Sequence, residues 1–326
     1  MTVVLAIDAG GSHTRAACVD AKGTVLGWGR ASGGNATSLG EGGVRAIETA
    51  ARAAITEAAA DASTLTAVLC AAGEAPVGRL GELAERLGMH DSSSWHPVGD
   101  ALGAYFSGSS APDGIVLIAG TGAIAARVQN AQVVSVVDGL GWLLGDAGSG
   151  FWIGREVVSA VAAAADGRGS PTALTEQVFS RIGGATACWS GVRTPDVAAI
   201  LRAVYDRPPT ALAEFAPLAF DAAAEDDAVA ASIVSAAASH LATTIETARR
   251  GHENLPVVVS GSVLTEGMLR AGVCAGALLE VLQDADLRPA TDGVVGAAIL
   301  ALRRRGVEVS EQLRVTMAEQ VELRRA

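Results

Sequence analysis

Two glycine-rich segments in this sequence each follow an apolar run and carry hydroxyl side chains. The first reads Asp8-Ala-Gly-Gly-Ser-His-Thr14, and the second is Gly120-Thr121-Gly122 after the run Ile115-Val-Leu-Ile118. Glycines let backbone N–H groups approach phosphate oxygens, and a carboxylate such as Asp8 can hold Mg²⁺, usually through its waters. Either segment alone also suits an ordinary β-hairpin. As a pair they predict two phosphate-binding hairpins that clasp one polyphosphate.

Two further positions lie where a helical pattern begins. Gly261-Ser262 follows the apolar run Val257-Val-Val-Ser260, where glycine suits either an adenosine pocket or a plain strand-to-helix turn. Asp100 opens the helical segment Ala101 to Phe106. Its carboxylate can cap that helix, or it can be a general base that takes the proton of an attacking hydroxyl while the helix dipole keeps it ionised. The residues alone leave both interpretations open.

The segment Asp138 to Gly150 contains five glycines, two aspartates and a tryptophan within thirteen residues. Such a composition is hard to explain as part of a hydrophobic core. Carboxylates accept hydrogen bonds from hydroxyl groups, and an aromatic ring covers the apolar face of a pyranose. The segment therefore predicts a sugar site, and a glycine-rich turn before a helix is the alternative.

The hydrophobic patterns place these residues at the ends of strands. Segments 6–19 and 117–128 share one layout, an apolar strand, a glycine hairpin and a second apolar strand, which predicts a duplicated domain facing itself across a cleft. Residues 151–251 are predicted to be largely helical, with the clearest helix at 227–250. The predicted strands are 2–8, 14–19, 25–30, 65–70, 114–119, 123–128, 133–137 and 256–260. Two domains follow, residues 1–112 and 113–305, with a charged helix at 306–326 that packs back on the first.

The bulk composition excludes several classes of protein. The 326 residues carry a net charge of −11, which argues against a nucleic-acid or anionic-membrane partner. The four cysteines are far apart and form no CxxC, so a disulfide framework, a structural zinc and an iron–sulfur site are not expected. The N-terminus has no basic region of a signal peptide, and no apolar run reaches the ~20 residues that a spanning helix needs. A cytoplasmic protein is expected.

In this order and spacing, the motifs resemble the BadF/BadG/BcrA/BcrD ATPase family and, within it, the N-acetylglucosamine kinases. The resemblance covers Val4 to Leu302. It depends on Asp8-x-Gly-Gly-Ser, Gly33-Gly-Asn35, Asp100 within Gly-Asp-Ala, Gly120-Thr-Gly122 and Gly145-Asp146-x-Gly-Ser-Gly-x-Trp-Ile153. It implies an α/β fold of two duplicated actin/hexokinase-like, or ribonuclease H-like, domains around an ATP and sugar cleft.

The resemblance also implies an activity, transfer of the ATP γ-phosphoryl group to the 6-hydroxyl of an amino sugar, best N-acetylglucosamine. ATP and Mg²⁺ are then the cofactors, and ATP and a small sugar the partners; a homodimer is compatible with the sequence. Carried over by position, Asp100 is the catalytic base and Asp8 the magnesium-side carboxylate, acting through water. The remaining assignments are Asn35, Gly139, Leu140, Gly141 and Asp146 for the sugar, and Gly10, Gly11, Ser12, Thr121, Gly122, Gly261 and Ser262 for ATP.

Some positions depart from the family pattern beside the sugar segment. Leu140 stands where these kinases often carry tryptophan, Ala147 where glutamate is usual, and Ala123-Ile124 where the animal enzymes have a polar pair. Glucosamine and N-acetylmuramic acid therefore stay open as substrates.

Two other classes of function share this family or fold. Activators of acyl-CoA dehydratases and reductases belong to the family, and those with an iron–sulfur cluster hold it on paired cysteines, which this chain lacks. A sugar-binding regulator without catalysis would have no need of Asp8 and Asp100, which are both intact. The zinc-binding cysteine and histidine cluster of the ROK sugar kinases is also missing.

Overall fold

The first of two sheets contains the N-terminal glycine hairpin. The structure is a computed structural model that describes residues 2–11, 13–35, 39–71, 77–183, 194–269 and 274–325. The strands of this sheet are β1 (Val3–Ala9), β2 (His13–Asp20), β3 (Val25–Ser32), β4 (Thr66–Ala71) and β5 (Trp95–Gly99). They lie in the order β3-β2-β1-β4-β5. Strand β1 is antiparallel to β2 and parallel to β4, and β4 is parallel to β5.

The second sheet repeats this arrangement. Its strands are β6 (Gly114–Ala119), β7 (Ala123–Gln129), β8 (Gln132–Asp138), β9 (Val257–Ser260) and β10 (Leu287–Pro289). Their order is β10-β9-β6-β7-β8, so both sheets place the first strand of their series in the centre, with the second and third on one side and the fourth and fifth on the other. The predicted α/β fold of two duplicated ribonuclease H-like domains is confirmed.

Eleven α-helices occur among the described residues, and most connect or follow the strands. Two other helical turns matter below, a 3₁₀ segment at Pro209–Phe215 and a π-helix at Val263–Met268. The α-helices are α1 (Glu41–Glu57), α2 (Val77–Arg86), α3 (Asp100–Gly108), α4 (Gly150–Ala165), α5 (Leu174–Arg181), α6 (Pro195–Tyr205), α7 (Ala216–Ala224), α8 (Ala228–Arg249), α9 (Gly276–Leu282), α10 (Gly293–Arg304) and α11 (Glu311–Arg325).

Helix α8 matches the predicted helix 227–250 within one residue at each end. It is 22 residues long and contains an 18-residue window of mean hydropathy 1.5, so by length and composition it could cross a membrane. Half of that window is buried inside the protein. Ile233, Leu241 and Ile245, which share the predicted apolar face, are buried, as expected of a core helix.

Contacts within the chain divide it into two compact units. The first unit comprises residues 1–116, 128–133 and 288–326, and the second comprises 117–127 and 134–287. Helix α10 thus belongs to the first unit, although the predicted domain limit places it in the second domain. Units drawn from contacts need not follow the limits of a duplication, and the limits at 112 and 305 stay a prediction.

Helix α11 lies against the first sheet. The Val25 N–H donates to Gln320 Oε1 at 2.8 Å, and Arg324 pairs with Glu57 at 2.6 Å. These contacts hold the last turns of the chain beside β3.

Glycines let α3 and α10 pack closely in the first unit. A methyl group on Gly296 would lie 1.8 Å from the Gly103 carbonyl oxygen, and one on Gly103 would lie 2.7 Å from Cys70 Sγ. Any side chain at either position would separate the two helices or push α3 off β4. This close packing fixes the start of α3, and therefore Asp100, relative to the sheet.

Candidate functional site

The carboxyl ends of β1, β4 and β5 meet at one edge of the first sheet, because the three strands are parallel. Asp8 pairs in register with Cys70, and Ala71 pairs with Gly99, the residue before Asp100. The register therefore brings Asp8 and Asp100 to the same edge of the sheet.

Asp8 is partly buried at this edge. Desolvation of its carboxyl, together with the nearby carboxylates of Asp292 and Asp100, raises the pKa of Asp8 to about 7, although Arg15 lowers it. The first residue of α10 closes the space, since a methyl on Gly293 would lie 2.5 Å from the Asp8 carboxyl carbon. Three carboxylates and one guanidinium thus form a partly buried acidic cluster.

Asp292 is a member of this cluster that sequence reasoning missed. Its Oδ1 accepts the Val294 N–H at 3.1 Å and caps α10, and its Oδ2 lies 3.2 Å from Arg15 Nη1. An aspartate before a predicted helix is a normal capping signal, so its proximity to Asp8 was not visible in the sequence.

Asp100 is the first residue of α3, and the N-cap residue is Gly99. The alternative in which Asp100 itself caps the helix is therefore wrong by one position. Burial raises the pKa of Asp100, while hydrogen bonds from the backbone N–H groups of Ala101 and Asp100 lower it. The carboxylate is held in place at the start of the helix, where the dipole favours a negative charge.

The first glycine hairpin is packed against the segment that contains Asn35. The Gly34 N–H donates to the Gly10 carbonyl at 3.0 Å, and a methyl on Gly33 would lie 2.0 Å from the Gly11 oxygen. Gly33 and Gly34 thus permit the contact that places Asn35 next to the hairpin. Ser12, predicted to contact phosphate, lies outside the described residues.

In the second unit, the hairpin Gly120-Thr121-Gly122 is bound to the start of α4. The Gly150 N–H donates to the Gly120 carbonyl at 2.7 Å, and the Phe151 N–H donates to the Thr121 carbonyl at 3.1 Å. The first free N–H groups of α4 are therefore used by the hairpin, which fixes its backbone.

Gly261 lies directly against the base of this hairpin. Its φ is +94°, and a methyl group there would lie 2.3 Å from the Ala119 oxygen and 2.7 Å from the Gly120 nitrogen. Both the backbone conformation and the space require glycine. Gly261 thus lets the start of the π-helix approach the hairpin, and a π-helical turn is frequent at functional sites.

A cavity of about 600 Å³ opens beside the hairpin and the π-helix. Its volume lies in the range of small-molecule pockets. Thr121 and Ser262, both predicted to bind ATP, line it, which places two of the predicted nucleotide residues together. The other lining residues are Gly120, Gly150, Ala213, Ala216, Pro217, Phe220, Asp221, Val263, Glu266 and Gly267.

Most of that lining was not predicted from the sequence. Ala213, Ala216, Pro217 and Phe220 form an apolar wall around the end of the 3₁₀ segment and α7. Asp221 is a carboxylate on the same wall. The two phenylalanines of this alanine-rich helical stretch, Phe215 and Phe220, were the available signal, and they are equally typical of core packing.

The predicted sugar segment is closed into a loop by Asp138. Its Oδ1 accepts the Asp146 N–H at 2.8 Å, and its Oδ2 accepts the Ala147 N–H at 3.0 Å. Asp146 Oδ1 in turn accepts the Ala123 N–H at 3.1 Å, and the Gly139 N–H donates to the Ala123 carbonyl at 3.0 Å. Gly139 and Asp146 are thereby held at Ala123, the first residue of β7.

The central residues of this loop face solvent. Leu140 is 66% exposed and Trp142 is 41% exposed, while the Trp142 ring packs 5.8 Å from the Phe151 ring centroid. Burial raises the pKa of Asp146, the Ala123 N–H lowers it, and the Asp138 carboxylate raises it. The loop therefore presents one positioned carboxylate beside accessible apolar groups, which can bind a polar ring with one apolar face.

The described residues contain no group of three or more His, Cys, Asp or Glu side chains placed to hold a metal ion. The partly buried carboxylate of Asp8, with further acidic charge around it, instead fits a cation that arrives with a nucleotide and keeps several waters.

Comparisons with known proteins agree with this architecture. The N-acetyl-D-glucosamine kinase of Dictyostelium discoideum is 27% identical over 325 residues, covering 92% of this chain and 98% of that protein. A Chromobacterium violaceum structure provisionally described as an N-acetylglucosamine kinase has a TM-score of 0.70 at 22% identity, over 93% of this chain and 99% of that chain. A Porphyromonas gingivalis structure with the same description has a TM-score of 0.66 at 24% identity and the same coverage.

The family assignment comes from the sequence as a whole. A sequence model of the BadF/BadG/BcrA/BcrD ATPase family matches residues 5–301. The match includes both glycine hairpins, the acidic cluster around Asp8 and the loop closed by Asp138. The chain belongs to the BadF/BadG/BcrA/BcrD ATPase family.

Proposed function

We propose that the protein is an ATP-dependent sugar kinase that phosphorylates the 6-hydroxyl of an amino sugar, with N-acetylglucosamine as the best candidate. The observation that carries the proposal is the cavity of about 600 Å³ beside Gly120-Thr121-Gly122, in a chain of an ATPase family. The Dictyostelium relative named as a kinase for this sugar supports the substrate class.

In this proposal the cavity of the second unit holds ATP. Phosphate oxygens lie along Thr121 and Gly122, and the adenosine part lies between Ser262 and the apolar wall that includes Phe220. Asp221 and Glu266, the two carboxylates of the lining, can accept hydrogen bonds from ribose hydroxyls. The first hairpin, with Gly10, Gly11 and Ser12, supplies further phosphate contacts.

Mg²⁺ bound with the nucleotide supplies charge neutralisation on the phosphates, and Asp8 is the residue that would hold it through water. The site fits this role because the negative charge of an ionised Asp8 is poorly compensated. Arg15 is the cation that offsets it, while Asp292 and Asp100 add negative charge. A divalent cation relieves that repulsion.

Asp100 is the proposed general base. Its carboxylate would accept the 6-hydroxyl proton as the oxygen attacks the γ-phosphorus, and the start of α3 holds it in position. Phosphoryl transfer demands mainly positioning and charge stabilisation, so a single base is sufficient. Asn35, Asp146 and the backbone of Gly139, Leu140 and Gly141 would orient the sugar.

The exact sugar is set by groups around the loop closed by Asp138. Leu140 and the pair Ala123-Ile124 offer few polar partners for a 2-acetamido group. A site without such partners rejects an altered polar group only weakly. Glucosamine and N-acetylmuramic acid are therefore the alternative substrates. We also infer that the protein is a cytoplasmic enzyme and that its partners are small molecules.

An ADP-release assay with purified protein, ATP and Mg²⁺ across a panel of hexoses and hexosamines tests the proposal. We expect sugar-dependent turnover, with kcat/KM for N-acetylglucosamine within roughly a thousandfold, about 4 kcal/mol, of one other 2-substituted hexosamine. Product analysis should locate the phosphate on the 6-oxygen. Turnover that does not respond to any sugar would contradict the kinase and favour an ATPase role.

A further inference from the structure

A second, smaller cavity lies on the first unit and shares Arg15 with the acidic cluster around Asp8. Its volume is about 110 Å³, and Arg15, Trp28, Arg30, Arg324 and Arg325 line it. We call it the arginine pocket. A cavity of this small volume suits one tetrahedral oxyanion.

Two elements bring these side chains together. Arg15 on β2 and Arg30 on β3 are direct cross-strand partners, and like charges in that relation destabilise a sheet. The last turn of α11 adds Arg324 and Arg325. The carboxyl end of a helix favours basic side chains, which accounts for the pair on α11 but leaves the facing arginines of the sheet unexplained.

The acidic partners present do not balance the pocket. Asp292, which is buried, is shared by Arg15 at 3.2 Å and Arg325 at 3.6 Å. Arg324 and Arg325 have other partners, Glu57 and Glu322, but these are exposed pairs of the kind that contribute little.

Arg30 completes the imbalance. Among the described parts of the chain it has no ion pair or hydrogen-bond partner, although it lies directly opposite another arginine. Four arginines therefore line one small cavity, with Asp292 as its buried acidic partner and Asp8 beside Arg15, in a protein whose net charge is −11. Guanidinium N–H groups match phosphate oxygens in geometry and bind them in pairs.

We propose that the arginine pocket binds a small phosphate-class oxyanion, either inorganic phosphate or the phosphate group of a monoester. Arg30 and Arg15 would donate to it from the sheet, and Arg324 and Arg325 from α11. The bound anion would offset the repulsion between the facing arginines. The site does not depend on the proposed kinase activity, but a phosphate monoester is the class of product that this activity would release.

Isothermal titration of the full-length protein with inorganic phosphate, with ionic strength held constant by sodium chloride, tests the proposal. We expect saturable binding that weakens at least tenfold in Arg30→Gln. This substitution removes no ion pair of the folded protein, so the variant should fold. The matched control is Arg168→Gln, an exposed arginine of the second unit paired with Asp166, which should bind phosphate like the wild type.

Two further measurements separate this site from the phosphate contacts proposed at the hairpins. ATP titrated into Arg30→Gln should bind as it does to the wild type. Glucosamine 6-phosphate and inorganic phosphate titrated in parallel identify which source of the phosphate group binds better. Equal phosphate affinity in Arg30→Gln and the wild type, or no saturable binding to the wild type, would overturn the proposal. Either result would leave the kinase assay unaffected.

Discussion

At the end of β1, Asp8 is partly buried beside two other carboxylates, with Arg15 as the cation that lowers its pKa. Such a group weakens the fold whenever it is ionised, because burial and like charges both oppose the negative form. A protein keeps such a residue where function requires it. The position of Asp8, with Asp100 at the same sheet edge, is that expected for groups that meet a cation and a proton during a reaction.

The cost of ionising Asp8 gives a prediction about stability and pH. Its pKa rises from 3.8 unfolded to about 7 folded. The folded state therefore binds more protons between these values, and its stability falls as pH rises through that window. Without nucleotide or Mg²⁺, Asp8→Asn should be more stable than the wild type at pH 8, and the gap should exceed that at pH 5 by on the order of 2 kcal/mol.

Urea unfolding of both proteins at pH 5 and pH 8 measures this gap. Asp61→Asn, at an exposed turn of the same unit, is the control and should show no comparable widening. A gap for Asp8→Asn that is the same at both pH values would mean that Asp8 ionises without penalty.

Asp100→Asn tests the proposed base. The amide keeps the size of the side chain but cannot accept the 6-hydroxyl proton, so kcat should fall by about 10²–10⁴-fold. ATP affinity should change little, because the proposed nucleotide contacts lie elsewhere. Since Gly99 is the N-cap residue, the helix loses no cap, and the unfolding midpoint should not fall.

Turnover and ATP binding of Asp100→Asn are compared with those of Asp61→Asn on the sugar that proves best. A kcat within threefold of the wild type would show that Asp100 is a structural residue of α3.

At the scale of the elements, closely packed glycines fix the edge of the first sheet. Gly293 begins α10 against the Asp8 carboxyl group, and Gly296 and Gly103 bring α10 and α3 into backbone contact. Because these contacts leave no space for a side chain, we expect a single added methyl group to lower the free energy of unfolding.

Gly293→Ala should destabilise the protein by about 1–3 kcal/mol, the usual cost of overpacking. Its new methyl would lie 2.5–2.7 Å from the carboxyl atoms of Asp8, so that side chain or the start of α10 would have to shift. The matched control is Gly276→Ala, at the first residue of α9, where no atom lies within 4 Å. That substitution should be neutral or stabilising by about 0.4–1 kcal/mol. Similar unfolding free energies for the two variants would contradict the packing described for Gly293.

The elements were predictable from the sequence where a pattern repeats. β6 is found at its predicted bounds, and the duplicated hairpins correctly indicated two related sheets. β10 was not predicted, because three residues ending in Pro289 carry no alternation. The π-helix was predicted only as a helix, since spacing does not distinguish the two.

The site was predictable only where residues lie close together in the chain. Thr121 and Ser262 were found as glycine-hairpin and strand-end positions, and both line the large cavity. Asp221 and Glu266 reach the same cavity from separate helical segments, and Asp292 reaches Asp8 from a helix cap. Such contacts between residues far apart in the sequence depend on tertiary packing, and no local pattern in a single sequence predicts them.

At the scale of the whole molecule, the cysteines decide between the proposed kinase and the activators of the same family. Cys18 and Cys70 are buried and Cys274 is half-buried, each without a disulfide, and Cys188 lies outside the described residues. We expect elemental analysis of purified protein to find less than stoichiometric zinc and iron. Stoichiometric iron would overturn this expectation and favour the activator role.

The loop closed by Asp138 has a consequence for how this fold could change its substrate over evolution. Hydrogen bonds from Asp146 and Ala147 to Asp138, and from Ala123 to Asp146, hold the ends of the loop to each other and to β7. Leu143 and Leu144 between them are exposed and support none of these bonds. Mutations at these two positions can therefore change the exposed surface of the loop while the anchoring carboxylates stay in place, so under the proposed function selection could vary the accepted sugar without first unfolding the site.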